Sequence, residues 1–142
     1  DAAIFPPTDM GILSGNVELT LENGIVTKIE GGKDAERFSS WLHSFDDPNM
    51  FRLAHYSLGF NPGVSKATGR IVEDERIFGC MEFGIGSQGA SILAEKWDAP
   101  SHTDGTILKP TILLDGKVFE EDGVYQHPEV REICKELGVA GY

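Results

Sequence analysis

Ser101-His102-Thr103-Asp104-Gly105 sets an imidazole and a carboxylate two positions apart. On an extended backbone that spacing turns both side chains toward one side of the chain, where they can meet a common ion. Pro100 biases the entry toward extended geometry, and Gly105 permits a sharp backbone exit. A third ligand is offered by His55, in Ala54-His55-Tyr56-Ser57-Leu58-Gly59-Phe60-Asn61-Pro62. A histidine among apolar residues is ordinarily a hydrogen-bonded core residue. Joined with His102 and Asp104, it completes a set of two imidazoles and one carboxylate. Such a set leaves open positions on Fe(II) for substrate and oxygen, and it equally holds Zn(II) with one site left for water. The residues by themselves do not choose between these metals.

Glu82 is a charged residue inside the apolar, glycine-rich run Gly79-Cys80-Met81-Glu82-Phe83-Gly84-Ile85-Gly86. Burying an unpaired carboxylate is costly, so Glu82 either faces solvent through strand alternation or is paired with a cation or metal. In the second case it is a fourth ligand, a ligand to a second metal, or a general base. The acidic runs Glu73-Asp74-Glu75 and Glu120-Glu121-Asp122 read as solvated turns, and His43 and His127 as structural or exposed. Gly84-Ile85-Gly86 lacks the third glycine and following helix of a dinucleotide-binding turn. Neither a nucleophile elbow nor a reactive-cysteine context is present.

The elements that must position these residues follow from periodicity. Apolar and polar residues alternate from Asn16 to Ile29 on either side of Asn23-Gly24, which predicts a hairpin. Asp34 is placed to cap a helix whose apolar residues Phe38, Trp41, Leu42 and Phe45 recur at three- and four-residue steps, ended by Asp46-Asp47-Pro48. Extended segments are expected over 52–60, 78–86 and 106–114. Pro110 forces the last of these to an edge or a bulge. Asp115-Gly116 predicts a second tight turn, leading into Lys117 to Phe119. Pro128 opens a helix through Leu137, stopped by Gly138. The N-terminal Ile4-Phe5-Pro6-Pro7 reads as loop. Hairpins and a mixed sheet with two or three helices define an α+β class in one domain.

The chain has 142 residues, 40% of them hydrophobic, enough for an ordinary core without disulfides. Twelve basic against 23 acidic residues give a formal net charge of -11, which opposes binding to nucleic acid or anionic membranes. The two cysteines, Cys80 and Cys134, have no metal-type spacing, and a reducing cytoplasm is the expected location. No apolar run approaches the roughly 18 to 20 residues that span a bilayer.

Taken in order, the Gly-x-Asn-Pro segment after His55, the run from Gly79 to Gly86, the His-x-Asp pair and the turns at Asp115-Gly116 and Asp122-Gly123 carry a family resemblance. From about Phe5 to Val124 the chain resembles the C-terminal, metal-bearing part of the 2,5-dihydroxypyridine 5,6-dioxygenase family, related to the M29 metallo-aminopeptidases. The resemblance implies that His55, His102 and Asp104 bind iron in a non-haem Fe(II) enzyme that opens a hydroxylated ring with dioxygen. The aminopeptidase branch is less similar, since it carries a glutamate where His55 stands and a histidine near Glu82. It implies instead a hydrolase with Zn, Co or Mn, in which Glu82 relays a proton. Both branches have an N-terminal domain, so residues 1–142 are expected to be one metal-binding catalytic domain, the C-terminal part of a longer enzyme. A small-molecule substrate and assembly into a homo-oligomer are further expectations. The remaining alternative is a metal-binding module, inactive without the segment that precedes it.

Overall fold

Three residue pairs, Asn23-Gly24, Asp115-Gly116 and Asp122-Gly123, take left-handed backbone angles, with φ between 49° and 78°. Two successive left-handed residues match the twist of paired strands, so each pair closes a hairpin. The first joins β3 (Val17–Glu22) to β4 (Ile25–Gly31), with Glu22 opposite Ile25 and Leu19 opposite Ile29. The other two link β8 (Ile112–Leu114), β9 (Lys117–Glu121) and β10 (Val124–Tyr125) into a three-stranded antiparallel sheet. The computed structural model describes residues 2–5, 10–68, 70–89 and 95–142, the first stretch by its backbone alone.

A five-stranded sheet carries the residues of chemical interest. Its strands are β1 (Ala2–Phe5), β2 (Gly11–Ile12), β5 (Leu53–Leu58), β6 (Met81–Gln88) and β7 (Trp97–Ile107), in the order β2-β1-β7-β6-β5. Ile4 and Phe5 therefore lie in a strand and not in the loop expected for them. Backbone pairing to β2, Ala3 opposite Ile12 and Ile4 opposite Gly11, is the cause; Pro6 and Pro7 fall outside the described residues. The extended segment expected over 106–114 is split. β7 ends at Ile107 and β8 begins at Ile112, because Pro110 has no N–H to continue a ladder. The Pro110 carbonyl instead accepts from Gly123 N–H at 3.0 Å. β8 is an edge strand with a register shift at Ile112/Leu113.

With α1 (Lys33–His43), a short α2 (Ile71–Asp74) and α3 (Pro128–Glu136), the molecule is α+β. The chain packs as two compact units, residues 2–56 with 83–105, and residues 57–82 with 106–142. In the first, α1 buries Ala35, Phe38 and Leu42. Phe38 and Leu42 join Met10, Val26, Met50 and Ile85 in the core, with Trp41 and Phe45 packed against it. The helix has no side-chain N-cap. Asp34 is the second residue of the helix and accepts from Ser14 N–H (2.7 Å), Ser14 Oγ (2.9 Å) and Gly15 N–H (3.1 Å), pinning the chain before β3. The cap expected of Asp34 is therefore not made, and the N-cap position of α1 is Gly32. A carboxylate cap does form at the 3-10 turn Pro48–Phe51, where Asp47 accepts from Asn49 N–H.

The second unit is built around Tyr125. Its ring stacks on Phe60 at 4.5 Å and meets Phe78 and Phe119 edge-on. Its hydroxyl donates to the Gly59 carbonyl at 2.8 Å. That carbonyl also accepts from Gly79 N–H, so losing the hydroxyl leaves it still bonded. Tyr125→Phe is accordingly expected to cost only about 1 kcal/mol in urea unfolding. Cys80 is buried and donates to the Asp74 and Glu75 carbonyls; burial pushes its thiol up to about 11, which removes it as a nucleophile near neutrality.

Two acidic residues expected in solvated turns are buried. Asp74 is 2% exposed and accepts from Thr68 N–H at 2.7 Å, fastening the segment before α2. Glu120 is fully buried on β9, while Glu121 and Asp122 of the same acidic run are exposed. Among the described residues, no helix is long and apolar enough to cross a membrane.

Candidate metal centre

His55 lies on β5, and His102 and Asp104 lie on β7. Thr103 between the last two is 1% exposed, while His102 and Asp104 are only partly buried. This is the alternation that the two-residue spacing requires. His102 Nε2 stands 2.8 Å and His55 Nε2 3.6 Å from the same oxygen, Asp104 Oδ1. The two imidazoles are stacked, with ring centres 5.2 Å apart and planes 20° from parallel. One ligand atom from each of the three residues lies within 4.8 Å of the others, close enough to share a metal ion. All three residues belong to the first unit.

The Ser87 carbonyl is 2.7 Å from His102 Nδ1. A carbonyl only accepts, so Nδ1 carries the proton, and Nε2 is the nitrogen turned toward Asp104. Histidines that bind metals are oriented in the same way, by a donated hydrogen bond from the nitrogen away from the ion. The side chains of His55, His102 and Asp104 keep 38%, 30% and 18% of their exposure, so an ion and a small ligand can reach them from solvent.

Glu82 is on β6, in the second unit, and is 1% exposed. The solvent-facing alternative weighed for it is therefore incorrect. Ser57 Oγ donates to Glu82 Oε2 at 3.0 Å, so this carboxylate sits in a polar contact inside its unit. It is not one of the three grouped ligands. His43 is exposed, with Nδ1 2.8 Å from the Ser39 carbonyl on its own helix, and His127 is exposed at the N-cap of α3.

Two contributors were missed by sequence reasoning. Ser87 acts through its carbonyl, so its side chain carried no signal. Gly84 lies against both imidazoles: a Cβ there would fall 2.3 Å from His55 Cε1 and 2.8 Å from His102 Cε1. Its position among other glycines masked it.

An α+β protein with two imidazoles and a carboxylate gathered at one partly open place has the makings of a metalloprotein. Residues 6–127 match the sequence profile of the 2,5-dihydroxypyridine 5,6-dioxygenase family, and the chain belongs to that family. Among curated relatives, the 2,5-dihydroxypyridine 5,6-dioxygenase of Pseudomonas putida is 25% identical over 121 residues, covering 80% of this chain and 34% of that protein. Among solved structures, the 2,5-dihydroxypyridine dioxygenase of Pseudomonas putida superposes with a TM-score of 0.69 at 24% identity. That match covers 90% of this chain and 38% of the other, and it shows the shared fold. The chain thus spans about a third of the length of the curated relative it matches.

Proposed function

We propose that His55, His102 and Asp104 hold one divalent metal ion, Fe(II), and that the chain is the metal-bearing catalytic part of a dioxygenase that opens a hydroxylated pyridine or a similar ring. The observation that carries this reading is the convergence of His55 Nε2 and His102 Nε2 on Asp104 Oδ1. The donor set fits such an ion: two imidazole nitrogens and one carboxylate oxygen, with one tautomer fixed by the Ser87 carbonyl. The same donors accept Zn, Co or Mn; the preference for Fe(II) follows from the dioxygenase chemistry that the family's description names, which this donor set suits on iron. When bound, Fe(II) supplies redox and Lewis-acid chemistry toward dioxygen and a ring hydroxyl.

The protein's own residues have the remaining tasks. Asp104 offsets part of the ion's charge, and the two imidazoles set the orientation of the ligand face. Within the other unit, Glu82, buried and accepting a hydrogen bond from Ser57 Oγ, is the chain's own candidate for holding a proton. The substrate is a small molecule, as the name of the curated relative suggests.

The test is oxygen uptake by the natural polypeptide, loaded with iron in the absence of air and mixed with 2,5-dihydroxypyridine. Dioxygen is expected to be consumed in step with loss of the ring's absorbance, and chelation to abolish both. Iron-loaded protein that takes up no oxygen with any hydroxylated pyridine would overturn the reading.

A further inference from the structure

The strand order places β6 between β5 and β7, so His55 and His102 stand on strands separated by a whole strand. At ordinary strand spacing their backbones are roughly 9 to 10 Å apart. Their ring centres are nonetheless only 5.2 Å apart. The rings close this gap by leaning toward each other over β6, and the residue under them is Gly84, which is buried. A Cβ built on Gly84 would lie 2.3 Å from His55 Cε1, 2.7 Å from His55 Nδ1 and 2.8 Å from His102 Cε1. None of these distances is tolerable between non-bonded carbon or nitrogen atoms.

Gly84 is not required by the backbone. Its φ is outside the left-handed region, so alanine adopts the same conformation without strain. Gly86, two residues on, is the opposite case. Its φ is 107°, and a Cβ there would strike the Ser101 carbonyl oxygen at 2.3 Å. Gly86 is therefore a glycine of the fold. At Gly84 the obstruction comes from the imidazoles.

We infer that Gly84 is a positioning residue for the metal centre: the absence of a side chain there lets His55 and His102 stack at the separation that brings both Nε2 atoms onto Asp104. A methyl group at this position would push one ring outward. Because an imidazole turns as a rigid plate about two torsions, moving its Cε1 edge also swings its Nε2 away from the shared oxygen. The inference rests on the proposed metal site.

The test is Gly84→Ala in the full chain, with Co(II) as the probe. Affinity is read by competition with a chromophoric chelator, ligand geometry by the visible spectrum of the Co(II) form, and stability by thermal unfolding without metal. Co(II) binding is expected to weaken by about 10- to 100-fold, the range seen when groups that orient a metal ligand are lost. The Co(II) bands are expected to shift, which a general loss of stability would not produce. Removing His55 takes away the 2.3 and 2.7 Å contacts and lets the His102 ring shift from 2.8 Å into the vacated space, so His55→Ala/Gly84→Ala is expected to unfold close to the temperature of His55→Ala alone, even if Gly84→Ala by itself folds poorly. Parental affinity and spectrum in Gly84→Ala, or a double variant as destabilised as Gly84→Ala, would overturn the inference. A parent chain that binds no Co(II) would overturn the metal reading instead, and the double variant would still decide whether the rings are what exclude a side chain at Gly84.

Discussion

Asp104→Ala is expected to weaken metal binding by more than about 100-fold, the upper end of what losing a mere orienting partner of a ligand costs. Asp104 supplies the only carboxylate of the three grouped ligands, and both Nε2 atoms face its Oδ1. Its loss removes one donor of three and the negative charge that offsets the ion. Asp104→Asn keeps the shape and an oxygen donor but not the charge, so it should fall between the parent and alanine. Ligand imidazoles must be deprotonated at the metal-facing nitrogen, so binding should also release protons and strengthen as pH rises. Competition titration with Co(II) or Zn(II) checks all three statements. Equal affinity in the parent and Asp104→Ala would place the ion elsewhere.

The second large effect concerns Glu120 and the stability of the unit that holds it. Its side chain is fully buried, and neither carboxyl oxygen has a hydrogen-bond partner among the described residues. Burial pushes the carboxyl up to about 7 from the ordinary 4.5. Below about pH 4.5 the group is neutral in both the folded and unfolded chain. Between about 4.5 and 7 the unfolded chain gives up the proton while the folded chain keeps it, so stability falls as pH rises through this window and then levels off. The loss approaches about 3 kcal/mol at its fullest. Burial, with the Glu120 carboxylate adding to it, raises Cys80, Tyr125 and Tyr142 in turn, so all three stay neutral across this range. Asp34, held low chiefly by the Ser14 hydroxyl, acts with the opposite sign and only at more acidic pH. Glu120→Gln keeps the shape and cannot ionise. Urea unfolding from pH 4.5 to 8 should show the downward slope in the parent and a flat line in the variant, with the variant the more stable at pH 8. Superimposable profiles would mean that Glu120 does not titrate in this window.

Local rules made much of the fold legible. Asn23-Gly24 and Asp115-Gly116 announced their hairpins because few residue pairs tolerate successive left-handed angles. Phe38, Trp41 and Leu42 announced α1 by period, and Pro128 with Gly138 marked the limits of α3. What could not be read depended on partners distant in sequence. Whether Ile4 and Phe5 form a strand depends on β2, and whether Asp34 caps a helix depends on Ser14 competing for its carboxylate. Glu120 sat in an acidic run that looked solvated, because composition says nothing about which member of a run a strand turns inward.

The site divides along the same line. His102 and Asp104 share a strand, so their common direction follows from spacing alone. His55 is on another strand, so its nearness to the pair depends on β5 and β7 lying on either side of β6, which no spacing along the chain announces. Gly84 and the Ser87 carbonyl carry no side-chain functionality, so no reading of residue types would have marked them.

The most direct test of the shared ion is anomalous diffraction from crystals of the protein grown with Co(II) or Fe(II), recorded at the absorption edge of the metal. A single peak is expected about 2 Å from His55 Nε2, from His102 Nε2 and from an Asp104 carboxylate oxygen. A fully loaded crystal with no peak there, or with its peak at other residues, would contradict the assignment of all three ligands.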